Sequence, residues 1–206
     1  MSIKSGDIVY RIITIGDAGV GKTAIIRRYL NNLFEDNTLS TVGINFSFRE
    51  LTLKNGTKVQ LKLIDTAGQE KYKSLTKNYY KNADGALFVF ALDDKKSFDH
   101  LKDWIISFKD NKIKENIPAY IIGNKCDLPK EKIQVNQNLI EQFKSIHNYK
   151  YIESSALSDE NITEIFEEMA EDIYIALQNS SKNQKGKKIA KYKQKGNNCI
   201  FCKTDV

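Results

Sequence analysis

Short apolar runs and amphipathic segments alternate along the chain. Apolar runs rich in β-branched and aromatic residues predict strands at 8–15, 44–54, 57–64, 86–92, 119–122 and 149–152. Apolar positions repeating every three to four residues predict helices at 22–33, 97–114, 136–147 and 161–177. Asn55-Gly56 is typical of a hairpin turn, so the second and third strands should pair antiparallel. The alternation predicts an α/β fold: a six-stranded, mostly parallel sheet with one antiparallel edge strand and helices on both faces.

Composition narrows the class of protein. The chain has 206 residues, of which 41% are hydrophobic and 28% charged, close to the globular average. Its longest apolar run, 85–92, is far shorter than the roughly 20 residues of a membrane-spanning helix. Residues 1–7 lack the apolar stretch of a secretory leader, and three cysteines make no disulfide framework. We therefore expect an ordered domain in a reducing compartment.

The positive charge is concentrated at the C-terminal end. The net charge is +6, and residues 179–206 contain eight Lys and one Asp, or +7, which leaves about −1 for residues 1–178. The segment 179–198 is polar and has almost no apolar side chains, a composition typical of a flexible linker. We predict a globular domain over residues 1–178 and a flexible basic tail over 179–206, and we expect no nucleic-acid partner.

Ligands of such sheets bind beyond the carboxyl ends of the strands, and the first of these ends carries a phosphate-binding motif. Residues 16–23, GDAGVGKT, fit the pattern G-x-x-x-x-G-K-[ST] between a predicted strand and a predicted helix. Backbone N–H groups of such a loop surround phosphate oxygens, Lys22 is expected to reach the β- and γ-phosphates, and Thr23 offers a hydroxyl to Mg²⁺. An ordinary glycine-rich turn is the alternative, which the flanking strand and helix disfavour. The other expected phosphate contacts are Asp17, Ala18, Gly19, Val20, Gly21 and Ala24.

Two further segments complete a predicted site for Mg²⁺ and the γ-phosphate. Residues 65–70, DTAGQE, follow the third predicted strand. Asp65 would supply a carboxylate to Mg²⁺, Gly68 a backbone N–H to the γ-phosphate, and Gln69 an amide that orients the attacking water. Thr41 is a second hydroxyl candidate for Mg²⁺. By itself an Asp followed by a flexible Gly is also typical of a helix cap, but beside a phosphate loop it favours nucleotide hydrolysis.

A fourth segment predicts the choice of base. Residues 124–127, NKCD, follow the fifth predicted strand. The Asp127 carboxylate can accept hydrogen bonds from the N1–H and 2-amino groups of guanine, a donor pair that adenine lacks, while the stem of Lys125 would lie along the purine. A polar strand-end turn is the alternative. The other expected base contacts are Asn124, Phe34, Ser155, Ala156 and Leu157. The backbone N–H groups of residues 154–156 would meet O6 of guanine, and the Phe34 ring would pack edge-on to the base. No function is assigned to Cys126, taken as a small buried residue, or to His100 and His147, taken as solvated helix residues.

With these motifs in this order, the chain is similar to the Ras superfamily of small GTPases and, within it, to the Rab family. The resemblance covers about residues 7–177 and rests on GDAGVGKT (16–23), STVGINF (40–46), DTAGQE (65–70), NKCD (124–127) and SSA (154–156). It implies a P-loop GTPase domain that binds GTP and GDP with Mg²⁺, hydrolyses GTP slowly without an activating protein, and regulates intracellular vesicle trafficking. It also implies an exchange factor, effectors, and two loops, about 34–44 and 66–80, that the γ-phosphate orders. A GTP-dependent interaction module that does not hydrolyse, an ATP-using P-loop enzyme and a Ran-like transport GTPase are the alternatives.

The chain departs from the family pattern at positions that concern partners and rate. Rab proteins usually carry tryptophan before DTAGQE, where this chain has Ile64. That position belongs to a surface that effectors read, whose other members by resemblance are Phe46 and Tyr79. Ala18 stands where Ras proteins have glycine, and its methyl group is expected to crowd the γ-phosphate and slow hydrolysis.

The tail carries two cysteines near its end. Cys199 and Cys202 lie eighth and fifth from the C-terminus, so neither forms a C-a-a-X box, which places its cysteine fourth from the end. The resemblance to Rab proteins implies prenylation of one or both, and the seven lysines between Lys182 and Lys195 would each add about 1 kcal/mol at an anionic leaflet. An unmodified tail is the alternative. We expect a monomer at the cytoplasmic face of an intracellular membrane, cycling with the cytosol.

Overall fold

The computed structural model of the protein describes residues 8–32, 34, 41, 43–68, 73–147 and 149–196, and for residues 73–75 and 181–196 it describes the backbone alone. The strands are β1 (Val9–Ile15), β2 (Ile44–Thr52), β3 (Lys58–Thr66), β4 (Gly85–Ala91), β5 (Ala119–Asn124) and β6 (Lys150–Ser154). The helices are α1 (Lys22–Asn31), α2 (Lys73–Tyr80), α3 (Lys95–Asp99), α4 (Leu101–Asn111), α5 (Gln137–His147) and α6 (Ile162–Gly196), with a 3₁₀ turn at Lys130–Lys132. All six strands lie in one sheet in the order β2-β3-β1-β4-β5-β6. The predicted α/β fold is confirmed.

Strand pairing brings the loops that carry the motifs to one edge of the sheet. β1 pairs parallel with β3 and β4, β4 with β5, and β5 with β6. β2 pairs antiparallel with β3, from Ile44 opposite Thr66 to Thr52 opposite Lys58. Gly56 turns this hairpin at φ 83°, a left-handed conformation that glycine adopts without strain. The segments that follow β1, β3, β5 and β6 therefore meet beyond the same carboxyl edge.

Helices cover both faces of the sheet. The ring of Phe88 in β4 packs edge-on against a phenylalanine of α4, at 5.7 Å between ring centroids. A Cβ at Gly85, which faces the other side, would lie 2.6 Å from the Met169 sulfur of α6. Because side chains alternate between the faces of a strand, α4 and α6 lie on opposite faces. α1 lies with α6, since the rings of Tyr29 and Phe166 stack at 4.3 Å.

Two helical segments differ from the sequence prediction. α2 lies in the segment 66–80, for which the sequence predicted only a loop; with eight residues it is too short for its period to stand out from the polar residues around it. The predicted helix 97–114 is divided at His100 into α3 and α4. The side chain of Asp94 begins α3 by accepting hydrogen bonds from the backbone N–H groups of Lys96 and Ser97.

α6 extends well beyond its predicted end. It continues to Gly196, through the segment predicted to be a flexible linker, so the predicted helix end at Leu177 is wrong. Lysine, glutamine and alanine are good helix formers, and no proline follows Pro129, so the helix does not stop where the apolar positions stop. The chain divides into two compact units, Met1–Ile173 and Tyr174–Val206. Among the described residues, no helix combines the length and the apolar character that crossing a bilayer requires.

Candidate nucleotide-binding site

The glycine-rich loop between β1 and α1 leaves the first turn of the helix open to a ligand. Gly21 precedes α1 at φ 95°, and no side chain caps the helix. A Cβ at Gly21 would lie 2.2 Å from Nδ2 of Asn124. Glycine is therefore required both by the backbone conformation and by the space. The N–H groups of the first turn are available to an anion such as a phosphate.

Lys22 is buried beneath this loop. The residue is only 5% exposed. Its Nζ donates hydrogen bonds to the carbonyl oxygens of Gly16 at 2.9 Å and of Asp17 at 2.6 Å. Burial lowers the pKa of Lys22 to about 8, against the opposing effect of the Asp65 and Asp17 carboxylates. An ammonium in this position gains from a phosphate placed above the loop, because nearby negative charge favours its charged form.

The side chain of Asp17 fastens the loop to α4. Its Oδ1 accepts a hydrogen bond of 2.6 Å from the buried indole Nε1 of Trp104, and its Oδ2 lies 2.6 Å from Nδ1 of His100. His100 was predicted to be a solvated helix residue; it is exposed as predicted, but it lies at the junction of α3 and α4 and its ring contacts Asp17. Neither contact could be found from the local pattern, because the partners lie 87 and 83 positions apart in the sequence.

Three oxygen-bearing side chains predicted to hold a metal meet beside the loop. The Thr23 hydroxyl donates to Oδ2 of Asp65 at 2.7 Å, and it lies 2.7 Å from the Thr41 hydroxyl. Asp65 is 5% exposed, and its Oδ1 has no hydrogen-bond partner among the described residues. Burial raises the pKa of Asp65, while the hydrogen bond from Thr23 and the charge of Lys22 lower it. A buried carboxylate oxygen without a partner beside two hydroxyls fits a hard, oxygen-seeking cation.

The chemistry of this donor set separates it from a zinc-type site. No group of three or more His, Cys, Asp or Glu side chains comes together within the part of the chain that the structure describes. Structural and catalytic zinc sites use such groups, whereas Mg²⁺ is held by one or two carboxylates together with hydroxyls, water and phosphate oxygens. Thr23, Thr41 and Asp65 are therefore the residues of the described chain that suit Mg²⁺.

Asn124 joins the loop that would hold the phosphates to the segments that would hold the base. Its Nδ2 donates to the carbonyl of Val20 at 2.9 Å. Its Oδ1 lies 3.4 Å from the Ser154 hydroxyl and 3.4 Å from the Ala156 nitrogen. Residues of two other motifs, 16–23 and 154–156, therefore contact one buried amide. The sequence predicted Asn124 as a base contact, whereas in the structure it also holds the pocket together.

A pocket of about 320 Å³ lies between these segments. Within it the Asp127 carboxylate accepts a hydrogen bond from the Ser155 hydroxyl, which in turn accepts one from the Ser158 nitrogen at 3.0 Å. Two motifs from different strand ends thus meet where the sequence analysis expected the base. The residues that line the pocket are Gly19, Gly21, Ala24, Phe34, Asn124, Lys125, Asp127, Leu128, Ala156 and Leu157.

Lys125 lines the pocket, and its ammonium group pairs with the carboxylate of Asp93. Its Nζ lies 3.0 and 3.1 Å from the two carboxylate oxygens of Asp93, at the carboxyl end of β4. Asp93 was not predicted from the sequence, although its position just after a buried strand is a signal of a site residue. Cys126, between the two pocket residues, is partly buried, and burial together with Glu160 raises the pKa of its thiol to about 12. Cys126 is therefore an unreactive packing residue rather than a nucleophile.

Gly68 lies directly against the phosphate loop. A Cβ at this position would lie 2.2 Å from the Ala18 nitrogen and 2.3 Å from the Asp17 carbonyl oxygen. Any larger residue would push the two segments apart, so the place of Gly68 suits a backbone contact with a terminal phosphate. Gln69 follows it in the chain and lies outside the described residues, as do Cys199 and Cys202. Their assigned roles stay predictions.

The predicted effector surface is only partly exposed. Phe46 is 41% exposed, and its ring lies 5.5 Å from that of Tyr79, with Nζ of Lys62 4.3 Å from the Phe46 ring centroid. Ile64 is opposite Phe46 in the β2–β3 ladder but is only 2% exposed. The prediction that Ile64 belongs to the surface is wrong, because its side chain is part of the buried core cluster against which Tyr79 packs.

Comparisons with known proteins agree with this geometry. A family model described as the Ras family matches residues 11–175. Ras-related protein Rab-13 of Canis lupus familiaris is 36% identical over 173 residues, which is 84% of this chain and 83% of the relative. Ras-related protein Rab-8B of Homo sapiens is 36% identical over 174 residues, with the same two shares. Ras-related protein Rab-11B of Dictyostelium discoideum is 40% identical over 171 residues, which is 83% of this chain and 76% of the relative.

Proposed function

This chain is a member of the Ras family of small GTPases, of the Rab type, and from that premise we propose how its own residues bind and hydrolyse GTP. It binds GTP, hydrolyses it to GDP and acts in vesicle trafficking as a molecular switch. The observation that carries the proposal is a single pocket faced by the glycines of the phosphate loop and by the carboxylate of Asp127. A phosphate group and a guanine base can therefore be bound by two ends of one site.

The phosphates are held by the backbone of residues 17–23 and by Lys22. The backbone N–H groups suit phosphate binding because no side chain caps the first turn of α1. Gly21 has no side chain that would block a phosphate from reaching them. Lys22 supports this role because its buried ammonium donates to the neutral carbonyls of Gly16 and Asp17, so that a phosphate would add a directly bonded negative charge. Asp17 keeps the loop in place through Trp104.

Mg²⁺ would be held by the hydroxyls of Thr23 and Thr41 and by the carboxylate of Asp65. The supporting observations are the 2.7 Å separations among these oxygens and the unpartnered, buried Oδ1 of Asp65. Bound there, the cation would neutralise charge on the β- and γ-phosphates. Thr41 lies in the loop 34–44 and would connect that loop to the state of the nucleotide, because a GDP-bound site lacks the γ-phosphate that would order the loop.

Removing Mg²⁺ tests this assignment. Chelation with EDTA is expected to raise the GDP dissociation rate by about tenfold or more, because the diphosphate loses a neutralising charge. Thr23→Ala should release GDP quickly with or without EDTA, whereas Thr57→Ala, a matched change in the β2–β3 hairpin, should respond like the parent. Stopped-flow measurement with a fluorescent GDP analogue gives these rates. A Thr23→Ala variant that keeps the full response to EDTA would contradict the assignment of the metal ligands.

Hydrolysis needs a water molecule placed in line with the γ-phosphate. Gln69 is proposed to orient this water with its uncharged amide, and Gly68 to donate its backbone N–H to the γ-phosphate. The close contact of Gly68 with the Asp17–Ala18 backbone supports its part, since the two loops meet where the terminal phosphate would lie. Ala18 contributes its backbone to this junction, and its methyl group is proposed to crowd the γ-phosphate, which would slow intrinsic hydrolysis and make it depend on an activating protein.

Partners read the surface that borders the two loops. Phe46, exposed near the start of β2, and Tyr79, partly buried on α2, form an aromatic pair, and Lys62 lies over the Phe46 ring. We assign this pair to effector binding, without Ile64. A monomer that meets an exchange factor, an activating protein and effectors in turn fits the switch role.

The basic C-terminal segment is assigned to membrane attachment. Cys199 and Cys202 are proposed to carry geranylgeranyl chains, and the seven lysines upstream to draw the chain to an anionic cytoplasmic leaflet. A lipid chain and a basic segment are two signals, which is what stable anchoring takes. This arrangement supports cycling between an intracellular membrane and the cytosol.

Replacing both tail cysteines tests the anchor. The double variant Cys199→Ser with Cys202→Ser is expected to move from the membrane fraction to the cytosol while it binds GDP like the parent. Cys126→Ser, the matched change of the third cysteine, should stay with the membranes. Fractionation of cells that express each variant, with intact-mass analysis of the purified chain, makes the comparison. A parent chain whose mass equals that of the bare polypeptide would defeat the proposal.

A further inference from the structure

Arg28 of α1 connects three parts of the pocket rim. Its Nε donates to the carbonyl of Ala156 at 2.7 Å, its Nη2 to that of Leu157 at 2.9 Å, and its Nη1 to that of Asn32 at 3.1 Å. The guanidinium carbon lies 5.9 Å from the centroid of the Phe34 ring, within the range of a cation–π contact. Ala156, Leu157 and Phe34 all line the pocket. The motif analysis of the sequence attached no role to Arg28.

The planar guanidinium suits this arrangement better than any other side chain. It has three nitrogens that carry N–H groups in a fixed fork, and here each nitrogen donates to a different carbonyl. An ammonium is a compact charge on a flexible stem and cannot hold several separated carbonyls in one geometry. Hydrogen bonds from a charged donor are also about twice as strong as neutral ones. The backbone of residues 156–157 is therefore held in one position by Arg28.

The held carbonyls belong to the loop whose N–H groups are expected to meet O6 of guanine. The Ala156 nitrogen makes only a long contact of 3.4 Å with Oδ1 of Asn124, so its N–H can turn to a better acceptor. Arg28 also lies on the same helix as Lys22, about 9 Å along the axis. One rigid element thus carries both the lysine for the phosphates and the arginine that supports the base loop.

We propose that Arg28 is a positioning residue for guanine: it fixes the Ala156–Leu157 backbone so that the loop donates to O6, and it orders Phe34 at the edge of the base. This inference rests on the proposed function, in which the pocket binds guanine through Asp127. Arg28 acts through the loop and through the Phe34 ring, and it is distinct from the groups that read the N1–H and 2-amino groups.

Two nucleotide analogues separate the O6 contact from the Asp127 contact. In 6-thio-GDP a sulfur, which is a poor acceptor, replaces O6 alone, and IDP lacks only the 2-amino group that Asp127 would bind. The dissociation constants of GDP, 6-thio-GDP and IDP are measured on the full-length parent and on Arg28→Met. The parent should prefer GDP to 6-thio-GDP by about tenfold, the worth of one hydrogen bond. Arg28→Met should reduce this preference to about threefold or less and leave the preference for GDP over IDP unchanged.

Two further variants make the result specific. Arg27→Met, the neighbouring arginine on α1, should keep both preferences of the parent. Arg28→Lys should behave like Arg28→Met, because the charge alone does not restore the fork, and thermal unfolding of each variant checks that the chain is folded. A retained preference over 6-thio-GDP in Arg28→Met, an equal loss of both preferences, or full rescue by lysine would each overturn the role of Arg28. A parent that does not distinguish GDP from 6-thio-GDP would instead overturn the proposed O6 contact itself.

Discussion

Asp127→Asn is expected to change the base preference of the protein from guanine to xanthine. The Asp127 carboxylate faces the pocket and accepts a hydrogen bond from Ser155, which leaves acceptor capacity for the N1–H and 2-amino groups of guanine. An asparagine presents an amide donor where one of these ligand donors lies. A broken pair of this kind costs about 2–5 kcal/mol, or roughly 30-fold to several-thousand-fold in affinity for GTP. Xanthine has a carbonyl in place of the 2-amino group and can accept from the new amide.

Calorimetric titration of the nucleotide-free chain with GDP and xanthosine diphosphate measures this change. Asp159→Asn is the matched control, since Asp159 is exposed on the loop after β6 and has φ 67°, which asparagine tolerates. The control should keep the preference of the parent for GDP. Equal GDP affinity in Asp127→Asn and in the parent would show that the base is bound elsewhere.

Gln69→Leu is expected to abolish hydrolysis stimulated by an activating protein while GTP still binds. Leucine has no amide to orient the water, and the arginine that a partner supplies, worth about 10³–10⁵ in rate in related GTPases, then has no aligned nucleophile to act on. Residues 34–45 contain no arginine, so that segment supplies none of its own. The variant should therefore stay in the GTP-bound state.

Single-turnover hydrolysis of radiolabelled GTP, with and without a cell extract that contains the activating protein, measures the effect. Gln142→Leu, an exposed change on α5, should be stimulated like the parent. Stimulated hydrolysis at the parent rate in Gln69→Leu would refute the role of this side chain. A parent chain that already hydrolyses GTP at ~1 s⁻¹ on its own would refute the need for a partner.

The parts of the site that sequence motifs specify are the parts that depend on local geometry. Gly21 and Lys22 could be predicted because a loop that surrounds a phosphate needs a glycine and a lysine at fixed spacing. Asp127 could be predicted because only a carboxylate at that strand end reads the two donors of guanine. The structure brings Asp127 and Ser155 together, as the order of the strands requires.

The features that the sequence could not predict depend on contacts between distant positions or on weak periodicity. Trp104 and Asp17 meet because α4 packs beside the phosphate loop, which no local pattern records. Ile64 is buried because an isoleucine at that position reaches only into the core, whereas the family resemblance supplied the expectation of a surface position. α6 continues to Gly196 because residues with high helix propensity follow the last apolar position, and the end of the helix was predicted from the apolar positions alone.

The hydrogen bonds of the Asn124 amide have a consequence for folding during synthesis on the ribosome. Its bond to the Val20 carbonyl joins residues 104 positions apart, and the arginine fork of α1 reaches across 128 positions to Ala156. Contacts of such sequence separation form late, because the intervening chain must first exist and then close its loop. A nascent chain that ends before β6 therefore contains the phosphate loop but lacks the segment 154–157 that completes the proposed base pocket. The ability to hold a nucleotide arrives only when nearly all of the first compact unit has been synthesised, so that binding itself marks a completed domain.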